Sequence, residues 1–303
     1  MMKKKYVVPM IAMLIFQHGI SQNYQKTELG IKLNTQSVQV EIQFFNPQTV
    51  RVIKSPEGVP FVKKSLSVIK EPLKTDVAIT EQGNKIILTS SAMKVQLDEQ
   101  TGKVSYFTPQ GAPLFTEKDY GIQFTPVDGA DAKTLLVRQA FMLDPTEAIY
   151  GLGQHQKGMM NQRFQKLFLR QDNMQICIPF FQSVKGYGVF WDNYSATTFI
   201  DNLQETSFES EAGDGADYYF MYGGNADGVV AQMRSLTGQA PMFPQWAFGF
   251  WQSRERYKSQ YETVGVVKKY RDLKVPLDGI VQDWQYWSTD DAYWNSTEFG
   301  NPA

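Results

Sequence analysis

The stretch that most constrains the fold runs from Pro244 to Trp287. Its apolar run Trp246 to Trp251 predicts a buried strand, ending in polar Gln252, Ser253 and Arg254. Ser259 and Glu262 stand at the Ser-x-x-Glu spacing of a capping box, in which the two side chains satisfy backbone N–H groups at a helix start. Val264, Val267, Tyr270 and Leu273 then recur at helical spacing and predict an inward face, and Pro276 closes the helix. A second short strand, Gly279 to Val281, runs into Gln282, Asp283 and Trp284. Strand, helix, strand is one βαβ unit, and a crossover of this kind joins parallel strands. Both strands then end on one face, the face on which α/β folds build their chemistry.

Residues 22–240 obey a different period. Val38, Val40, Ile42 and Phe44 alternate with polar residues, as in a half-buried strand. Asn46-Pro47 breaks that strand and Val50 to Ile53 resumes it. Ile86 to Leu88, Met93 to Leu97 and Val104 to Phe107 are further strands, the last two separated by a turn over Asp98 to Gly102. Ile176 to Phe180, Gly186 to Trp191 and Asp217 to Tyr222 continue the series. Many short strands with frequent turn residues predict an all-β sandwich or barrel-like domain. A helix follows, with Val229, Val230, Met233 and Leu236 on one face and Gly238 at its end. Pro241 and Pro244 bracket a short linker.

The first 21 residues read as an export signal. Met1 to Lys5 is basic, and Tyr6 to Phe16 is apolar but too short to span a bilayer. Gly19 and Ser21 are small residues at the −3 and −1 positions of a cleavage after Ser21. The alternative is an apolar element retained in the fold. The signal implies a secreted or periplasmic protein with no transmembrane anchor in the mature chain. With 31 acidic against 30 basic residues, charge offers no argument for nucleic acid. One cysteine, Cys177, excludes an internal disulfide, and Ile176 and Ile178 beside it predict a core thiol. Two histidines cannot build a multi-histidine metal site, so neither metal nor cofactor is expected.

Two segments carry a resemblance: Phe-Gly-Phe-Trp-Gln-Ser-Arg-Glu-Arg-Tyr (248–257) and Pro-Leu-Asp-Gly-Ile-Val-Gln-Asp-Trp-Gln-Tyr-Trp (276–287). They resemble the start of the catalytic barrel of glycoside hydrolase family 31, the α-glucosidase and α-xylosidase family. The Gln-Ser-Arg-Glu-Arg-Tyr form is similar to its secreted bacterial α-xylosidase-like branch. Upstream, Tyr150-Gly-Leu-Gly153 resembles another family segment, although this chain continues Gln154-His155 where the common form has Glu-Arg. The resemblance implies a galactose-mutarotase-like β-sandwich over 22–240, then a (β/α)₈ TIM barrel beginning at 241.

It also implies roles. The aspartate matching Asp283 binds the sugar of the −1 subsite, and is neither nucleophile nor acid. Without the resemblance, Asp283 reads more readily as a strand-end carboxylate capping a loop. Trp251, Trp284 and Trp287 are expected around the same face, as stacking platforms for sugar rings or as packing for barrel loops. His155, Asn173 and Arg254 are site-shaping candidates, and each is as readily a loop or salt-bridge residue. Residues 156–175 are expected to form a polar loop of the sandwich on the leaving-group side. The partner is an α-linked glycoside or oligosaccharide, with xylose favoured over glucose because Trp284 and Trp287 could wall off a hydroxymethyl group. A homo-oligomer of the full-length parent is left open.

A (β/α)₈ barrel needs about 250 residues, and only 246–303 follow the linker. The chain is therefore expected to be the N-terminal piece of a longer enzyme. The family's nucleophile and acid/base are expected beyond residue 303, so the piece alone is expected to be inactive. Asp290 and Asp291 are adjacent in a loop and match neither role. The competing reading is a secreted noncatalytic carbohydrate-binding or scaffold sandwich.

Overall fold

The computed structural model describes residues 24–128, 134–156, 158–284 and 286–287. The export signal of 1–21 and the Asp290-Asp291 pair lie outside the described residues. The chain divides into two compact units, 1–239 and 240–303.

In the first unit, β1 (Tyr24–Lys26), β2 (Gly30–Thr35), β3 (Val38–Asn46) and β4 (Thr49–Pro56) form an antiparallel meander. Residues 57–77 lead to a second meander: β5 (Ala78–Gln82), β6 (Lys85–Thr89), β7 (Lys94–Asp98), β8 (Val104–Phe107), β9 (Pro113–Pro126) and β10 (Leu135–Met142). Next come β11 (Ile149–Gln154), β12 (Lys166–Leu169), β13 (Ile176–Ser183) and β14 (Tyr187–Trp191), then β15 (Thr197–Asp201), β16 (Thr206–Gly213) and β17 (Ala216–Tyr222). Pairing gives one sheet ordered β1-β2-β3-β4-β17-β14-β13-β11 and a second ordered β12-β15-β16-β10-β9-β8-β7-β6-β5.

The alternation in β3 shows why the sheets stack. Val40, Ile42 and Phe44 are fully buried in one cluster with Ile86, Leu88, Val95 and Leu97 of the other sheet. Burying each such side chain stabilises the fold by about 1.5–3 kcal/mol. Aromatic rings fill the centre: Tyr106 stacks on Phe220 at 3.9 Å and Trp191 on Phe208 at 5.4 Å. The buried polar tips find partners, as buried polar groups must. Trp191 Nε1 donates to Ser210 Oγ at 2.9 Å, and Tyr218 Oη to Glu117 Oε1 at 2.8 Å.

Helix α1 (Ala226–Thr237) lies on the outer face of the first sheet. Asn225 caps it by accepting from the Gly228 N–H at 2.8 Å, and Gly238, at φ 88°, ends it. Its Leu236 packs with Phe45, Phe190, Tyr219 and Met221, so β14 and β17 are buried on both faces.

The described residues of the expected polar loop, 158–175, are largely irregular and exposed, but are anchored at Arg163 and interrupted by β12. Arg163 is buried, bonded through Nε to Asp201 Oδ2 at 2.8 Å and through Nη1 to the Asp144 carbonyl at 2.8 Å. The same Asp201 oxygen accepts from the Phe164 N–H at 2.6 Å, and β12 then pairs with β15. A polar sequence is here tied down by one buried ion pair, with 158–165 and 170–175 irregular on either side of β12. Cys177 is only half-buried: it packs against the core from the inner face of β13, and its neighbours Ile176 and Ile178 are exposed on the other face instead of burying it.

The second unit begins with a 3₁₀ turn over Gln245–Phe248, followed by β18 (Trp251–Arg254), α2 (Gln260–Asp272) and β19 (Gly279–Gln282). β18 and β19 pair in parallel, Trp251 opposite Gly279 and Arg254 opposite Gln282. The buried strand expected over Trp246 to Trp251 is a correction: the first half of the apolar run is 3₁₀ turn, and the strand begins only at Trp251 and runs through the polar residues after it. Pro244 starts that turn, and the Gly249 N–H closes it on the Trp246 carbonyl at 3.1 Å. Trp246, Phe248 and Phe250 are exposed. Helix α2 is capped as expected, Ser259 Oγ accepting from the Glu262 N–H at 3.2 Å, while Glu262 Oε2 accepts from the Lys258 N–H at 2.7 Å. Val267 and Tyr270 are half-buried, whereas Val264 and Leu273 are exposed, against the inward face expected of all four.

Candidate active-site region

The C-terminal end of the parallel pair is formed by Arg254, last residue of β18, and Asp283, which follows β19. Asp283 is exposed, and its Oδ1 accepts from the N–H of Trp284 at 2.7 Å. That bond orients the carboxylate and leaves Oδ2 with no partner among the described residues. Trp284 is 43% exposed and meets Trp287 edge-on at 4.8 Å, 80° between planes. Tyr286 meets Trp287 likewise at 5.2 Å. Trp287 is buried, whereas Trp284 is exposed.

Arg254 and Glu262 pair at 3.1 Å, tying the end of β18 to the first turn of α2. Tyr270 Oη donates to Gln252 Oε1 at 2.7 Å, a second tie between helix and strand. Asp278 Oδ2 accepts from the Phe250 N–H at 3.0 Å. The carboxylate reaches it only because residue 249 is glycine; a methyl there would sit 2.0 Å from Asp278 Oδ2. Sequence reasoning passed over Tyr270 and Asp278 as site supports, and the adjacent Gly249 and Gly279 were the only signal for such close approach.

Trp251 is not where the sequence placed it. Its partner is Gly279, at the start of β19, so it lies three residues before Arg254, about 10 Å along the strand. It packs on Gly279 and against Trp246, centroids 5.5 Å apart.

Two other candidates belong to the sandwich unit. His155, just after β11, is half-buried and donates from Nε2 to the Leu152 carbonyl at 2.8 Å. The glycines before it serve close strand approach: a methyl on Gly153 would sit 1.9 Å from the Ile176 carbonyl oxygen. Asn173 is exposed in the 170–175 turn, its N–H bonded to Asp172 Oδ1 at 2.8 Å. The hydrogen bond from Arg170, at 2.6 Å, holds the Asp172 carboxyl below the usual range. Beside the turn opens a cavity of about 350 Å³ lined by Arg170, Cys177, Asn193 and Tyr194, and partial burial there pushes the Cys177 thiol up. Among the described residues no group of three or more His, Cys, Asp or Glu could hold a metal ion, and no helix is long and apolar enough to cross a membrane.

Comparison with known proteins agrees with this division. The glycosyl hydrolase 31 N-terminal galactose mutarotase-like domain matches residues 39–199, and the glycosyl hydrolases family 31 TIM-barrel domain matches residues 240–303. An α-xylosidase of Saccharolobus solfataricus is 37% identical over 87% of this chain. Among solved structures, a GH31 α-xylosidase from Xanthomonas citri superposes with a TM-score of 0.80 over 87% of the chain at 24% identity, a likeness of fold. A GH31 dextranase of Flavobacterium johnsoniae, complexed with glucose, superposes with a TM-score of 0.75 over 88% at 25% identity. The chain spans 36% of the first relative's length, and 45% and 34% of the two solved chains. The sandwich match alone covers more than half of the sequence, the barrel match covers 240–303, and the chain belongs to glycoside hydrolase family 31.

Proposed function

We propose that the chain supplies the first part of a secreted or periplasmic retaining α-glycosidase. In this reading 1–21 is the export signal, 22–240 the sandwich and 241–303 the opening of the catalytic barrel. The observation that supports it most is Asp283: a carboxylate with one oxygen uncommitted, at the C-terminal end of parallel strands, beside the exposed ring of Trp284. A carboxylate there accepts hydrogen bonds from sugar hydroxyls, and an indole covers the apolar face of a pyranose. Arg254 acts as a support through Glu262, and Trp251 through its packing on Gly279, so neither is assigned to the sugar. Retention requires a nucleophile and an acid/base about 5–5.5 Å apart. No described residue is assigned either role, and the chain by itself is expected not to turn over substrate.

The substrate class is an α-linked xyloside or glucoside. The α-xylosidase relatives and the Gln-Ser-Arg-Glu-Arg-Tyr segment favour xylose; the glucose-bound dextranase keeps glucose as the second choice. Proton NMR of the intact enzyme hydrolysing an aryl α-xyloside tests the reaction type. The α-anomer is expected as the first sugar released, and first appearance of the β-anomer would overturn the reading.

A further inference from the structure

One end of the sandwich unit holds a cavity of about 190 Å³ between the two sheets, with Val38, Val40 and Ile122 in its walls. Lys54 of β4 also lines it and is 2% exposed. Its ammonium donates to Glu117 Oε2 at 2.5 Å and to the Gly102 carbonyl at 2.8 Å. Glu117, fully buried, also accepts from the Val104 N–H at 2.7 Å and from Tyr218 Oη. An ammonium carries three donors, so one N–H of Lys54 is left without a partner among the described residues. The buried pair is formally neutral, and an anion placed beside Glu117 would be an unmatched charge in a dry site.

The rim is built around Tyr120. In the β9–β10 ladder Ile122 faces Gln139 and Glu117 faces Phe141, so residues 118–121 stand opposite Ala140 alone. Such a bulge re-aims a side chain. Here it carries Tyr120, at φ 53° and 61% exposed, to the cavity mouth. Left-handed backbone is costly for a bulky residue. Across the mouth, Gln36 spends its amide N–H on the Gln100 carbonyl at 3.0 Å, leaving its carbonyl oxygen as an acceptor.

We propose that this cavity binds one neutral pyranose, a pentose or a hexose. A void of roughly 150 Å³ accommodates one six-membered carbon ring, so the space suits a single sugar ring and not two. The ring stacks on Tyr120, one hydroxyl accepts from Lys54, and another donates to Gln36. All these groups lie in the sandwich unit, so the site is additional to the one at Asp283 and does not depend on it.

The test is titration of D-xylose and of D-glucose, followed by saturation-transfer NMR, into the full chain carrying Asp283→Ala, with acetate as the anionic competitor. Saturable binding of at least one sugar in the millimolar range is expected, undisturbed by acetate. Tyr120→Gly, which suits the left-handed backbone, should keep the fold and weaken binding about tenfold. Gln36→Ala, at an exposed turn, should weaken it in the same direction. Absence of saturable binding, unchanged affinity in both variants, or displacement by acetate would overturn the proposal. Binding that requires Asp283 intact would also overturn it, while leaving the reading of Asp283 in place.

Discussion

The indole of Trp251 lies across the α-carbon of Gly279, its register partner: a methyl placed on Gly279 would sit 2.6 Å from indole Cε3 and 2.7 Å from Cδ2. This contact packs the two strands of the second unit together at the end opposite Asp283.

Gly279→Ala should therefore destabilise the second unit by about 1–3 kcal/mol, the usual cost of overpacking. In a Trp251→Ala background the same change should cost much less, because the two residues share one contact. Urea unfolding followed by tryptophan emission reports on it, since most of the tryptophans lie after residue 240. Equal costs in the two backgrounds would show that the indole is not the obstacle.

Arg163 and Asp201 are both buried and pair at 2.8 Å. Asp201→Ala strands the guanidinium and should cost about 3–5 kcal/mol. It should also open 156–165 to limited proteolysis before global unfolding. A loss below about 1 kcal/mol, the worth of an exposed pair, would mean that Arg163 finds other partners.

Partial burial raises the Cys177 thiol above its ordinary value, which lowers the thiolate fraction at any given pH. Alkylation by iodoacetamide should be slower than for a free cysteine near neutrality, with the rate midpoint displaced to higher pH. A midpoint at or below the free-thiol value would contradict the half-buried placement.

Much of the sandwich was legible because its inner faces obey the period of two, as Val40, Ile42 and Phe44 do. The caps of α2 were legible too, since Ser259 and Glu262 act locally. Burial on both faces blurred β14 and β17 into plain apolar runs. What escaped was set by contacts distant in sequence. Glu117 reads as an ordinary surface acid until Lys54 and Tyr218 close on it. Arg163 reads as part of a polar loop until Asp201 meets it. The run Trp246 to Trp251 has the composition of a strand, yet Pro244 and a local hydrogen bond turn its first half into 3₁₀ geometry. At the candidate site, Asp283 and Trp284 fell at the strand end expected of them. Trp251 did not, because register, which depends on the partner strand, decides which end of a pair a residue occupies.

The central claim, that Asp283 holds the sugar in an α-glycosidase, is tested most directly by kcat/KM of the intact enzyme on aryl α-xyloside and α-glucoside, wild type against Asp283→Asn. The substitution keeps the shape and removes the charge. A fall of about 10²-fold or more is expected, about 2.7 kcal/mol of lost transition-state stabilisation, with the xyloside the better substrate. An unchanged kcat/KM in Asp283→Asn would contradict the account.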